Sequence, residues 1–127
     1  MVKPISIPNS EVFAKLWMHE CCRVFHDRLI NNEEKLWFTK VISDLSNIYL
    51  HDRLEHDDIF VTNKLIFGDL LKLESTKEYE EIKDFKKLKT ILIENLDNFN
   101  TTATSKMNLV FFEDAIEHIS RVSRVLR

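Results

Sequence analysis

The chain is predicted to be all-α, a helical bundle of about four main helices, and three observations carry that reading. Apolar residues recur at helical spacing in four separate stretches. Of 127 residues only one is glycine and two are proline, and both prolines, Pro4 and Pro8, fall in the first eight positions. Acidic residues open the helical stretches, and in the last one arginines close it, the order that suits a helix dipole.

Residues 1–8 read as an extended lead-in, because proline and the residue before it are held out of the helical region. Asn9 or Ser10 then caps a first helix expected to run to about Leu29 or Ile30. Its apolar stripe is Phe13, Leu16, Trp17, Cys21, Val24, Phe25 and Leu29, with Trp17, Phe25, Leu29 and Trp37 expected in the bundle core. Asn31 and Asn32 make a short turn into a second helix, opened by Glu33 and Glu34. Leu36, Trp37, Val41, Leu45, Ile48 and Tyr49 form its apolar face. A connection this short predicts that the two helices are antiparallel neighbours.

Polar residues 51–58 read as a loop. The stretch from Ile59 to Leu73 is read as one or two helical turns around Gly68, since a lone strand there has no evident partner. Ser75 with Glu78 fits a capping box for a third helix, with Tyr79, Ile82, Phe85, Leu88, Leu92, Leu96 and Phe99 on its buried side. Glu80 with Lys83 and Asp84 with Lys87 would be pairs on its solvated face. Residues 98–105 read as a loop. A last helix from about Asn108 to the terminus has Leu109, Phe112, Ala115, Ile116, Ile119, Val122 and Leu126 on its apolar side. Units are expected at 1–8, 9–105 and 106–127. The chain stops without a C-cap glycine, which predicts a piece cut in mid-element from a longer protein.

Composition narrows the functions. A net charge of -3 gives no electrostatic case for nucleic acid or an anionic membrane surface, and no apolar run approaches a membrane span. Cys21 and Cys22 are adjacent and cannot staple a loop, which predicts an intracellular, reduced protein. With Gly68 alone, neither a P-loop nor a G-x-G-x-x-G turn can exist here, so no standard nucleotide cradle is expected.

The chemistry-bearing residues concentrate between Leu16 and Leu29. H-E-C-C-R at 19–23 lacks the second histidine of a zinc protease. His19, Cys22 and His26 share a helix face but have no evident fourth ligand. A mid-helix cysteine facing a core is usually inert. Local pairing is the better reading: Glu20 toward Arg23 or Arg28, and Asp27 four residues after Arg23. His118, four after Asp114, is expected to orient or pack. Arg23, Arg28, Arg121 and Arg124 are the candidates for phosphate sensing, within a larger assembly if at all.

L-W-M-H-E-C-C-R-V-F-H-D-R-L at Leu16–Leu29 resembles a signature helix of dynein heavy chains. L-I-F-G-D-L-L at Leu65–Leu71 and M-N-L-V-F-F-E-D-A-I-E-H-I-S-R-V-S-R-V-L-R at Met107–Arg127 are similar to two further family stretches in the same order. The last looks closer to axonemal than to cytoplasmic chains. The resemblance covers about positions 12–127 and implies the AAA+ lid subdomain of the third ring module, leading into the fourth.

That family is a microtubule-based, ATP-driven motor. The resemblance therefore implies a non-catalytic segment that couples nucleotide state to movement between adjacent modules. It implies no cofactor within this chain; ATP or ADP with Mg2+ belongs to the parent motor. Expected partners are neighbouring AAA+ modules of the same heavy chain. The parent binds microtubules and dynein intermediate and light chains, in the cytoskeleton, at the axoneme of a cilium or flagellum. Trp17, Phe25, His19, Glu20, Arg23, Asp27, Arg28, His118, Arg121 and Arg124 would be structural or inter-module contacts, with no catalytic, cofactor-binding or metal residue among them. The alternative is a free-standing helical adaptor that binds a partner through Arg121–Arg127 and the adjoining apolar face.

Overall fold

The computed structural model describes residues 7–50, 53–62, 64–71 and 78–126. They form four long helices and one minimal hairpin: α1 (Ser10–Val24), α2 (Asn32–Tyr49), β1 (Phe67–Gly68), β2 (Glu80–Glu81), α3 (Phe85–Thr102) and α4 (Glu113–Leu126). The helical fold class holds. Residues 1–6 of the expected lead-in and residues 72–77, with Ser75 of the expected capping box, lie outside the described residues.

Asn9 caps α1 as its residue type predicts, its Oδ1 accepting from the Val12 amide at 2.9 Å. The helix stops at Val24, short of Leu29. A 3-10 turn over His26–Arg28 follows, closed by Arg28 N to Phe25 O and Leu29 N to His26 O. The buried positions of α1 are Ala14, Leu16, Met18, His19 and Cys22. Of the expected stripe, Leu16 is buried and Trp17 and Cys21 pack against the core; Leu29 is half-buried, and Phe13, Val24 and Phe25, the last 57% exposed, face outward.

In α2 the expected face is turned outward. Its buried residues are Thr39, Ile42, Ser43 and Ser46, whereas Leu36, Leu45, Ile48 and Tyr49 are exposed and Trp37 is 64% exposed. Small hydroxyl side chains let the segment from Arg53 pack close to α2; Thr39 and Ser43 bond to it, while the Ser46 Oγ is buried with no hydrogen-bond partner among the described residues. Thr39 Oγ1 donates to Leu36 O and meets His56 Nε2, both at 3.0 Å. Asn47 clamps Leu54, donating to its carbonyl at 3.1 Å and accepting from its amide at 3.0 Å. Apolar periodicity scores none of these bonds, so it selects the wrong face.

Gly68 lies in a strand, not in a helical turn. Phe67 pairs with Glu81 and Gly68 with Glu80, antiparallel, extended by Ile82 N donating to Ile66 O at 2.9 Å. A Cβ on Gly68 would sit 3.1 Å from Ile82 Cδ1, so the small residue permits that approach. Glu80 and Glu81 are therefore strand residues, and α3 begins ten positions after Ser75. Asp84 caps it, with Oδ1 accepting from the Lys86 and Lys87 amides at 2.9 and 3.0 Å. The carboxylate expected to pair with the Lys87 side chain binds its backbone instead. α3 continues through Thr102, where threonine hydroxyls bond back to Asn98 and Phe99 carbonyls. Asn100 clamps Met107, and α4 starts at Glu113 rather than near Asn108.

The core divides. Met18, Cys22, Ile42 and Ile59 cluster between α1, α2 and the 53–62 segment, where a turn of π-helix covers Asp58–Thr62. Ile66, Ile82, Leu88, Leu92, Phe111 and Ile116 cluster between α3, α4 and the hairpin. Leu16, Phe67 and Tyr79 bridge them, with Leu65 packed against the first and third clusters.

Truncating Leu88, which is fully buried, is expected to cost about 3 kcal/mol as Leu88→Ala. Trp37→Ala is expected within about 0.5 kcal/mol of the parent. Urea unfolding of the two variants checks the inverted face of α2; a loss at Trp37 as large as at Leu88 would contradict it.

Candidate functional site

His19 and Glu20 of α1 reach across the molecule rather than along their own helix. His19 is 3% exposed. Its Nδ1 lies 3.2 Å from the Leu65 carbonyl and its Nε2 3.2 Å from the Tyr79 hydroxyl. That hydroxyl also lies 3.0 Å from Glu20 Oε1. Helix spacing pairs Glu20 locally, and the family resemblance names it, with Arg23, Asp27 and Arg28, among the ties that would fix the first helix against its neighbours. Glu20 accepts a fork from Arg124 on α4: Nε donates to Oε2 at 3.1 Å, and Nη2 donates to the same carboxylate. One helical turn on, Asp27 lies 3.3 Å from Arg23 Nη2, 3.7 Å from His26 Nδ1 and 3.7 Å from Arg121 Nε. The chain of charge continues through Arg121 to Glu117 at 3.3 Å, Glu117 to Lys64 at 2.7 Å and Lys64 to Glu113 at 3.1 Å.

The structure thus assembles six of the sequence-selected residues, His19, Glu20, Arg23, Asp27, Arg121 and Arg124, between α1 and α4. Trp17 packs against the Met18 cluster. Phe25 stands outside the core with its ring 6.1 Å from that of Phe38. Arg28 and His118 are exposed; nothing in the structure gives them a part in the network. Sequence reading missed Tyr79 and Lys64 as polar partners. Tyr79 was placed on an apolar stripe, and no local spacing relates it to His19 and Glu20 about 60 positions earlier.

Electrostatics follow from this packing. Burial, helped by the Arg23 and Arg124 charges and opposed by the Leu65 carbonyl and Glu20, pushes His19 down to about 4. Burial works to raise Glu20, but the Arg124 and Tyr79 hydrogen bonds prevail and hold it below the usual carboxylate range. Burial, with Glu20 beside it, pushes the Tyr79 hydroxyl up.

Burial also drives the Cys22 thiol up to about 12. A thiol protonated at neutral pH is a poor nucleophile and a poor metal ligand. His19 has both ring nitrogens engaged, which removes it from the His19–Cys22–His26 set; no group of three or more His, Cys, Asp or Glu suits a metal ion among the described residues. Gly68 is paired in the hairpin, and the N-termini of α1 and α3 are filled by Asn9 and Asp84. A cleft of about 350 Å³ opens beside the network, with His19, Arg23, Arg121 and Arg124 among its walls. What the arrangement can do is hold α4 against α1.

Two outcomes follow. His19 is neutral in the fold to about pH 4, whereas an unfolded histidine titrates near about 6.5. The unfolded chain then binds the extra proton between those values. Its contribution is full above about pH 6.5 and is lost as pH falls toward about 4, up to about 3 kcal/mol. Urea midpoints measured from pH 8 to 4 check this, and His19→Asn should flatten that part of the slope. Separately, a double-mutant cycle of Glu20→Gln and Arg124→Gln should give a coupling of about 1 kcal/mol. A coupling of zero would mean that the ion pair does not tie the helices.

No protein-family model matches the chain. Individual relatives do. It is 40% identical over 127 aligned positions to dynein axonemal heavy chain 6 of Homo sapiens, covering 98% of this chain and 3% of that protein. It is 37% identical over 135 aligned positions to dynein axonemal heavy chain 3 of Mus musculus, covering 95% and 3%. With the dynein-1-alpha heavy chain of the flagellar inner arm I1 complex of Chlamydomonas reinhardtii it shares 33% over 126 positions, covering 92% and 3%. The chain spans about 3% of the length of these relatives. Matches of this identity, running through nearly every position of the chain, place it in the family of axonemal dynein heavy chains.

Proposed function

We propose that this chain is a non-catalytic lid segment of an axonemal dynein heavy chain. It would lie in the third AAA+ module and lead into the fourth, within a microtubule-based motor of a cilium or flagellum. In this reading ATP or ADP with Mg2+ binds outside these residues. The segment carries nucleotide-driven movement from one module to the next as a rigid body. Its partners are the neighbouring AAA+ modules of the same chain, and the whole motor meets microtubules and intermediate and light chains.

The supporting observation is the state of α4. It is anchored on one side through Ile116, Ser120 and the Arg124–Glu20 pair, while Phe112, Val122, Val125 and Leu126, the last 81% exposed, remain uncovered. A helix gripped on one face and apolar on another suits a connector between two bodies. The outward apolar residues of α2 suit a second contact with a neighbouring module. Trp17, His19, Glu20, Arg23, Asp27, Arg121 and Arg124 would keep the connector stiff, with Phe25, Arg28 and His118 on its outer surface. A free-standing helical adaptor would use the same exposed end of α4.

The test is made in an intact axonemal heavy chain. Val122→Asp with Leu126→Asp, at the corresponding positions, is expected to lower microtubule gliding velocity at least several-fold while the motor still binds nucleotide. Unchanged gliding would overturn the reading. An antibody against this sequence separates the alternative. A native band at giant-motor size supports the lid, and a band near the size of the 127-residue chain supports the adaptor.

A further inference from the structure

Three contacts meet at His19 and Tyr79: imidazole Nδ1 with the Leu65 carbonyl, Nε2 with the Tyr79 hydroxyl, and that hydroxyl with Glu20. Each needs one hydrogen, but a neutral imidazole and a phenol together carry two. The Leu65 carbonyl can only accept, so the ring hydrogen belongs on Nδ1. The single Tyr79 hydrogen is then shared between two acceptors, Nε2 at 3.2 Å and Glu20 Oε1 at 3.0 Å. Glu20 alone has a second supply of donors, the Arg124 fork from α4.

We propose that docking of α4 on α1 is coupled to a proton on His19, with the Tyr79 hydroxyl as the transmitting group. With Arg124 seated, the guanidinium satisfies Glu20 and also bonds the Tyr79 oxygen, and the Tyr79 hydrogen turns to Nε2 of a neutral imidazole. When Arg124 withdraws, the uncompensated carboxylate draws the Tyr79 hydrogen. Nε2 then faces an oxygen lone pair. A proton taken from solvent onto Nε2 restores the third contact. No covalent bond between heavy atoms changes, and the added positive charge replaces the one that Arg124 removed.

The surroundings push the same way. The charged groups facing His19 are Glu20 and Arg23 on its own helix and Arg124 on α4. Tyr79 and the Phe67 ring, 5.5 Å away, complete its walls. Arg23 and Arg124 oppose an imidazolium and Glu20 favours it. Arg23 is held by Asp27 at 3.3 Å and stays when α4 leaves. Withdrawal of Arg124 therefore removes one opposing cation and uncovers the favourable anion. Linkage makes the effect reciprocal: acid favours release of α4, and release of α4 takes up a proton. This device does not depend on where the segment sits in a motor.

The experiment is a pH titration of His19 by long-range proton–nitrogen NMR in the 127-residue chain. The parent should show the Nδ1–H tautomer, with a midpoint near about 4. Arg124→Gln should raise the midpoint by about one unit or more, a tenfold change in proton affinity. Adding Tyr79→Phe, which keeps the ring and loses the hydroxyl, should remove most of that rise. An unchanged midpoint in Arg124→Gln overturns the proposal. So does an equal rise with phenylalanine at 79, because Arg124 would then act on His19 through charge alone. Arg124→Lys keeps the charge and loses the fork, and should give a smaller rise in the same direction. If Arg124→Gln fails to fold, no rise in Arg124→Lys overturns the proposal instead.

Discussion

The Glu20–Arg124 pair joins residues 104 positions apart, and much of the architecture depends on it. Without it the chain is two partial cores: one around Met18 and Ile42, the other around Leu88 and Ile116. Neither is large, and among the described residues the cluster that bridges them has Leu16, Phe67 and Tyr79 as its buried members. Tyr79 serves both purposes, its ring stacked 6.2 Å from Phe67 and its hydroxyl between His19 and Glu20. Apolar contact can join the halves, but it is non-directional. A forked guanidinium on a carboxylate fixes the rotation and register of α4 on α1.

The second tie, around Asp27, explains why α1 ends early. The 3-10 turn at His26–Arg28 carries Asp27 within reach of Arg23, His26 and Arg121. A helix continued to Leu29 would follow a different path from Phe25 onward. Carboxylates and cations then alternate from Asp27 through Arg121 and Glu117 to Lys64, so that the end of α1, α4 and the segment leading to β1 share one electrostatic seam. Partly buried networks of this kind are stronger than isolated surface pairs.

The apolar residues left outside are the other half of the account. α2 turns Trp37, Ile48 and Tyr49 outward, and α4 leaves Val125 and Leu126 uncovered. Single exposed apolar residues need no explanation, but rows of them at helical spacing on two helices do. The chain belongs to the axonemal dynein heavy-chain family and spans about 3% of its relatives' length. Stiffness inside and apolar rows outside are compatible demands. The polar seam supplies rigidity without using the residues that face outward.

By itself the sequence determined the helical class, the approximate places of four helices and the Asn9 cap. Each rests on interactions between near neighbours or on composition, which a linear reading captures. The Leu16–Leu29 stretch also disclosed the family and most of the site. Arg23 with Asp27 was legible because four residues make one helical turn.

Only the tertiary structure decided which face of α1 and α2 is buried, that Gly68 has a strand partner in Glu80, and that Glu20 belongs to Arg124. These outcomes turn on bonds between distant residues. Thr39, Ser43 and Asn47 are ordinary polar residues until the 53–62 segment arrives to receive their hydrogen bonds. Hydrophobic periodicity treats burial as a property of the side chain, whereas in α2 the partners decided it.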